Sequence, residues 1–279
     1  MCLIFASSEV RRFYCITGGN VVKSDRKKKI SEETREKAMI FRSHRGGVYY
    51  TPENTMPAFR AALAQKFEQI ETDPQYTKDG VIVLMHDSTI NRTCRHDDGS
   101  VIGQPMRVCD MTYAELLNYD AGIHRGMQFK GTRVPRLEEL LELLDGTDVL
   151  LDLDKKITAE EIDPLLHLVE KYNVKVEFSC ADTARIRKIL SILPDALINY
   201  DGKNTEEDLK KIAALVPRER LSVWVYLDKP NFAWLTDRDK ASPEVCERVR
   251  KYAALGIANV NCAEDVREAM MMGADVIVV

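Results

Sequence analysis

Short apolar runs alternate with amphipathic stretches along most of this chain. Runs with strand character are Met39–Ser43, Gln69–Asp73, Asp148–Leu153, Val174–Ser179, Ala196–Tyr200, Leu221–Leu227, Ile257–Asn261 and Asp275–Val279. Helical patterns fall between most of them: Pro57–Lys66, Leu137–Leu144, Ala159–Tyr172, Thr183–Leu193, Glu206–Val216, Pro243–Leu255 and Ala263–Met272. Eight strand candidates separated by helices predict an α/β fold, a (β/α)8 TIM barrel, which takes roughly 250 residues. A doubly wound open sheet also alternates but rarely reaches eight such units.

Two stretches break the alternation. Gln69–Tyr76 and Val81–His86 are joined only by Thr77-Lys78-Asp79-Gly80, and an Asp-Gly pair in so short a connection predicts a hairpin. With Lys78 and Asp79 at the tip, Glu71 faces His86 and Asp73 faces Leu84. A slip of one residue would bring Asp87 opposite Glu71 instead. The second break, Ser88–Arg136, is too long for an ordinary βα loop and reads as a small insert over the barrel mouth. Residues 1–38 stand apart as an N-terminal extension, dense in charge from Lys23 to Lys37; its Arg26–Lys29 run reads as a solvated surface.

Composition narrows the partners. The chain has 279 residues, 45% apolar and 30% charged, the balance of a globular protein. A net charge of −4 gives no reason to expect nucleic acid. The seven cysteines are scattered with no CxxC pair, which points to free thiols in a reducing compartment. No apolar run approaches the roughly 20 residues of a transmembrane segment. The start, MCLIFASSEVRRF, lacks a basic region ahead of its short apolar patch, so a cytoplasmic location is the expectation. Nothing in the sequence sets the oligomeric state.

The candidate chemistry lies at the carboxyl ends of the first strands, where barrels of this kind carry their active sites. His44 ends the first strand, Glu71 and Asp73 the second, and Asp152 and Asp154 the third, while His86 returns to that level on the hairpin. His44 is followed by Arg45-Gly46-Gly47, where glycine lets backbone approach a ligand closely. Four neighbouring carboxylates repel one another by about 1–4 kcal/mol per contact unless a cation sits among them. Hard oxygen donors favour Mg²⁺ or Ca²⁺ over zinc. His96, His124 and His167 have no partners in reach, and Ser88-x-x-x-x-Arg92-Thr93 reads as turn and capping chemistry. There is no GxSxG elbow, Walker loop or GxGxxG.

The segments HRGGVYYTPENTMPAF, IETDPQYTKDGVIVLMHDSTINRT, MTYAELLNYDAG and VPRLEELLELL resemble the glycerophosphodiester phosphodiesterase family in kind and order. The resemblance is dense from about residue 41 to 145 and implies a TIM-barrel domain over residues 39–279. It implies divalent-cation-dependent hydrolysis of glycerophosphodiesters, small-molecule substrates, to glycerol 3-phosphate and an alcohol. By that analogy His44 and His86 are the acid–base pair, Arg45 clamps the phosphate, and Glu71 and Asp73 hold one cation. The family's third ligand, a glutamate in a Glu-x-Lys pattern, falls at Asp152. Asp154 then stands where the family has a phosphate-binding lysine, and Lys155 is the side chain expected to turn inward in its stead. If Asp154 is itself a ligand, the third position lies there and not at Asp152. The aromatic residue usual before Thr-Val-Asn is absent from Ala258-Asn259-Val260-Asn261, and the chain ends at Val279, ahead of the family's usual Asp-Arg-Pro run. Two other functions share these residues: hydrolysis of another phosphodiester or a phospholipid head group, and a catalytically idle barrel that binds a ligand.

Overall fold

The computed structural model describes residues 39–229 and 239–279; the N-terminal extension lies outside them. The first barrel strand, β1 (Ile40–Ser43), leads through a short turn into α1 (Met56–Ala64). Strand β2 (Gln69–Thr72) follows, then a hairpin of β3 (Pro74–Tyr76) and β4 (Ile82–Leu84). The insert holds α2 (Tyr113–Leu116). From α3 (Leu137–Leu144) the alternation resumes: β5 (Leu150–Leu153), α4 (Asp163–Val169), β6 (Lys175–Cys180), α5 (Thr183–Ile192), β7 (Leu197–Tyr200) and α6 (Glu206–Ala213). It ends with β8 (Leu221–Tyr226), α7 (Pro243–Arg250), β9 (Ala254–Ala258), α8 (Ala263–Met271) and β10 (Val276–Val278).

Eight strands close into a parallel barrel in the order β1-β10-β9-β8-β7-β6-β5-β2, as the alternation predicts. Closure runs through Ile40–Val276 and Phe41–Ile277 on one side of β1 and Arg42–Gln69 on the other. Helices start where local chemistry stops extension. Asp182, Thr205 and Ser242 each accept a backbone N–H at the first turn of α5, α6 and α7. Pro164 and Pro243 sit in first turns, where their missing N–H costs nothing. The Leu face of α3 (Leu137, Leu140, Leu141, Leu144) is fully buried, and this core continues between helices and barrel.

Two sequence expectations shift. The Ala253–Leu255 stretch reads as the end of a helix, but α7 stops at Arg250 and Ala254–Ala258 pairs with Ser222–Tyr226. Barrel pairing overrides the helix propensity of alanine and leucine. Gly256 also admits the Trp224 indole, since a Cβ there would lie 2.5 Å from the ring. The hairpin is antiparallel as expected, and its register, Pro74–Leu84, Gln75–Val83, Tyr76–Ile82, is the one-residue slip that aligns Asp87 with Glu71 and not the Asp73–Leu84 pairing. Thr77 closes the turn with Val81, through Thr77 N–H to the Val81 carbonyl at 2.9 Å. That leaves a three-residue tip with Gly80 at φ +79°, the left-handed position such tips need. Asp73 therefore faces Met85, whose N–H donates to the Asp73 carbonyl at 2.9 Å. The insert has its own apolar cluster, in which Met85 on the hairpin meets Ile90, Cys94, Val108, Leu116 and Val134.

The barrel interior is polar. Arg42 is 1% exposed and binds Asp152 and Glu177; its Nε donates to Gln69 at 2.8 Å, and its guanidinium lies 4.7 Å from the Trp224 ring centre. Ser222 donates to Glu177 at 2.9 Å. Every charge in this layer thus has an opposite charge or hydrogen-bond donor against it, as burial requires.

The turn that begins the site is tightly specified. Gly46 has φ +77°, and a Cβ there would lie 2.8 Å from Phe59 and 2.9 Å from Ala58 of α1. Gly46→Ala is expected to lower unfolding free energy by about 1–3 kcal/mol through overpacking and left-handed strain, measured by urea denaturation.

Candidate active site

A cavity of about 370 Å³ is lined by residues at the carboxyl ends of the barrel strands. All six ionisable groups singled out in the sequence line it: His44, Glu71, Asp73, His86, Asp152 and Asp154. So do Arg45, Lys155 and Lys156. His96, His124 and His167 do not: His96 stacks obliquely near Tyr119 at 5.5 Å, and His167 meets Glu170 at 3.1 Å on the surface of α4.

The His44–Gly46 turn is built around Arg45, which has φ +50°. Its N–H donates to Glu71 Oε2 at 2.9 Å, and its carbonyl accepts the Asn54 N–H at 2.9 Å. Asn54, also left-handed at φ +55°, donates its side-chain amide to Asp73 Oδ2 at 2.8 Å and accepts from Thr72 Oγ1 at 2.7 Å. The left-handed backbone of the turn is therefore held by Glu71 of β2 and Asp73 just after it. The Arg45 guanidinium binds Glu53 at 2.9 Å and approaches Asp73 to 3.5 Å. His44 Nε2 lies 3.8 Å from Glu71. Enclosure at the mouth, with Arg45 and His86 nearby, pushes His44 down to about 3, so its ring is neutral.

His86 is oriented from the other side. Its Nδ1 lies 2.7 Å from Asp87 Oδ1, and Arg92 grips Asp87 Oδ2 at 2.6 Å. Hydrogen bonding from Arg92 holds Asp87 well below the usual carboxylate range, against a smaller upward push from burial. An ionised Asp87 only accepts, so Nδ1 carries the proton and Nε2 is left to exchange one. Arg92 also binds both oxygens of Glu53, at 2.7 and 2.8 Å. Burial pushes Glu53 up, but Arg92 and Arg45 outweigh it and hold the carboxyl at about 2. A ladder Arg45–Glu53–Arg92–Asp87–His86 thus joins the two histidine segments. The turn-and-capping reading of Arg92 is corrected: its guanidinium is shared between two acids. Glu53, Asp87 and Arg92 gave no periodic signal; only their place inside PENT, HD and NRT marked them.

The acids divide into two groups. Glu71 and Asp73 are raised by burial first and then by neighbouring carboxylates, Asp73 and Asp154 for Glu71, Asp154 for Asp73. Burial raises Asp154 too, but Lys155 and Lys156 outweigh it and hold it below the ordinary value. Lys156 Nζ lies 3.6 Å from Asp73 and 3.7 Å from Asp154, an ammonium standing between two carboxylates. Asp152 belongs to the buried layer below: besides Arg42, Ser179 Oγ donates to it at 3.1 Å and Asn199 Nδ2 at 3.0 Å. Burial pushes Asp152 up to about 7, Arg42 opposing. Its oxygens are thus already committed to Arg42, Ser179 and Asn199, whereas Asp154 shares the rim with Glu71 and Asp73. Lys155 and Lys156 both line the cavity; Lys155 is bound to Asp201, and Lys156 stands between Asp73 and Asp154.

Among the described residues, no three His, Cys, Asp or Glu side chains close around one point as a metal cage. The donor set nonetheless suits a hard cation in kind. Glu71, Asp73 and Asp154 are oxygen donors, Asp154 raises the other two, and a lysine ammonium already occupies the gap between two of them.

A family model described as the glycerophosphoryl diester phosphodiesterase family matches residues 44–262. The chain belongs to this family. It is 39% identical over 114 residues to a glycerophosphodiester phosphodiesterase of Caldanaerobacter subterraneus, covering 41% of this chain and 44% of that protein. It is 37% identical over 178 residues to human glycerophosphodiester phosphodiesterase 1, covering 63% and 48%. The chain thus spans less than half the length of these two relatives. The fold matches a crystal structure of a glycerophosphodiester phosphodiesterase from Agrobacterium tumefaciens, with a TM-score of 0.60, 24% identity and coverage of 86% and 96%. It also matches an Oleispira antarctica phosphodiesterase in complex with the product sn-glycerol-3-phosphate, with a TM-score of 0.70, 17% identity and coverage of 86% and 92%.

The orientation of His86 is open to direct measurement. In ¹⁵N NMR the Nδ1-protonated tautomer of neutral His86 should dominate, and Asp87→Asn should abolish that preference. A dominant Nε2-protonated ring in the unmodified protein would contradict the geometry.

Proposed function

We propose that this chain hydrolyses glycerophosphodiesters to glycerol 3-phosphate and an alcohol, with His44 and His86 as acid and base beside a divalent cation, Mg²⁺ or Ca²⁺. The observation that carries the reading is the convergence of both histidines, an acidic trio and the cationic side chains of Arg45, Lys155 and Lys156 on one cavity in a barrel of this family. Glu71, Asp73 and Asp154 would hold the cation, so the third ligand moves from Asp152 to Asp154. The cation, when bound, supplies the positive charge that offsets the carboxylates and draws the phosphate oxygens.

The residues of the chain do the rest. Arg45, fixed by Glu53, and Lys156, once displaced from between Asp73 and Asp154, present positive charge to the phosphodiester. His44, at the cavity with Nε2 3.8 Å from Glu71, would take the proton from the attacking oxygen. As the new P–O bond forms, the bond to the alcohol breaks, and His86, doubly protonated at this step with Nδ1 against Asp87, gives the departing oxygen its Nε2 proton. With Lys156 beside Asp154, the site keeps a lysine after its third carboxylate, and the case for an idle barrel loses its motive.

The test is turnover of glycerophosphocholine and bis(p-nitrophenyl) phosphate side by side, with release of glycerol 3-phosphate followed for the first. Chelation should abolish activity and Mg²⁺ or Ca²⁺ should restore it. His44→Ala and His86→Ala should each reduce turnover by about 10² or more with the fold retained. Near-normal activity in His86→Ala would remove it from the mechanism, and hydrolysis of the nitrophenyl ester alone would point to another phosphodiester.

A further inference from the structure

Asp201 follows β7, lines the same cavity and is buried. Both of its oxygens are used: Oδ2 accepts the Lys155 ammonium, and Oδ1 accepts the Tyr226 hydroxyl at 2.7 Å. Lys155 Nζ also lies 3.7 Å from Asp154 Oδ1, while Lys156 Nζ lies 3.7 Å from Asp154 Oδ2. The sequence thus places two ammonium groups directly after one carboxylate, one near each oxygen. If both settled on Asp154, an incoming divalent cation would meet a carboxylate already neutralised. The closer contact of Lys155 is with Asp201, not Asp154, and Tyr226 fixes the rotamer of Asp201 that receives it.

We propose that Asp201 is a positioning residue: it draws Lys155 away from Asp154 and thereby sets the affinity of the acidic trio for a divalent cation. The inference rests on Asp154 being a cation ligand, as proposed above. It explains how the chain tolerates the second lysine of Asp154-Lys155-Lys156. Lys156 is the ammonium that a cation and a phosphate displace, and Lys155 is held on the wall. Without Asp201, Lys155 relaxes fully onto Asp154 and competes with the cation at roughly 4 Å, where like charges repel strongly.

The experiment is calorimetric titration of Mg²⁺ and of Ca²⁺ into the full chain. It compares the unmodified protein, Asp201→Asn, Lys155→Met, the double variant, and Asp195→Asn. Asp195 precedes β7 at the opposite end of the barrel, so its variant loses the same charge far from the site. Asp201→Asn should weaken cation binding by roughly tenfold. Adding Lys155→Met should return affinity to within about threefold of the parent, and Asp195→Asn should leave it unchanged. Lys155→Met alone should tighten binding severalfold, which reads the same balance even if Asp201→Asn folds poorly. In turnover of glycerophosphocholine, Asp201→Asn should need more cation while keeping its kcat at saturating cation. Equal affinity in Asp201→Asn and the parent, a double variant no better than Asp201→Asn, or weaker binding in Lys155→Met would overturn the inference alone. A parent that binds neither ion would overturn it together with the function proposed above.

Discussion

The crowding of Glu71, Asp73 and Asp154 on one sector of the barrel rim is the constraint to which the surrounding structure answers. Buried carboxylates a few ångströms apart cannot all remain ionised without compensating charge. Around them the chain supplies a lysine between two carboxylates, an arginine whose backbone N–H caps Glu71, and an asparagine amide on Asp73. These contacts shape the His44–Gly46 turn as much as they stabilise the acids. Arg45 and Asn54 adopt left-handed backbone because their polar groups are drawn to β2.

A second set of charges lies one layer deeper and has a different purpose. Arg42, Asp152 and Glu177 occupy barrel interior that branched apolar residues more often fill. Their pairing, with Gln69, Ser179, Asn199 and Ser222, gives each of these buried charges a partner in place. Because β5 alternates, Asp152 and Asp154 point to the same side at different depths, and the two layers are stacked. Both line the cavity, the deeper carboxylate held by Arg42, Ser179 and Asn199 and the shallower one approached by the ammonium groups of Lys155 and Lys156.

The architecture was legible because it rests on periodicity. Eight strands, the hairpin and a long insert follow from the alternation of runs and from the Asp-Gly turn. Two details escaped. The β9 boundary was set by pairing with β8 and by the indole of Trp224, which no local propensity reports. The hairpin register was set by the Thr77–Val81 closure, which makes a three-residue tip from the same four residues. In the site, the histidines, Arg45, Glu71 and Asp73 came together as their spacing indicated. The choice between Asp152 and Asp154 could not be read from the sequence, since both share one strand face and only Arg42, from a distant strand, distinguishes them. Asp201, Glu53 and Arg92 were equally hidden, because each acts through a partner far along the chain.

The central claim is that the rim trio, with Asp154 and not Asp152 as its third member, holds a divalent cation. Titration of Ca²⁺ and Mg²⁺ into Asp154→Asn, alongside the unmodified protein, tests it most directly. The account predicts that binding in the variant weakens at least tenfold while its thermal unfolding stays within a few degrees of the parent. Undiminished affinity in Asp154→Asn would contradict it and return the third position to Asp152.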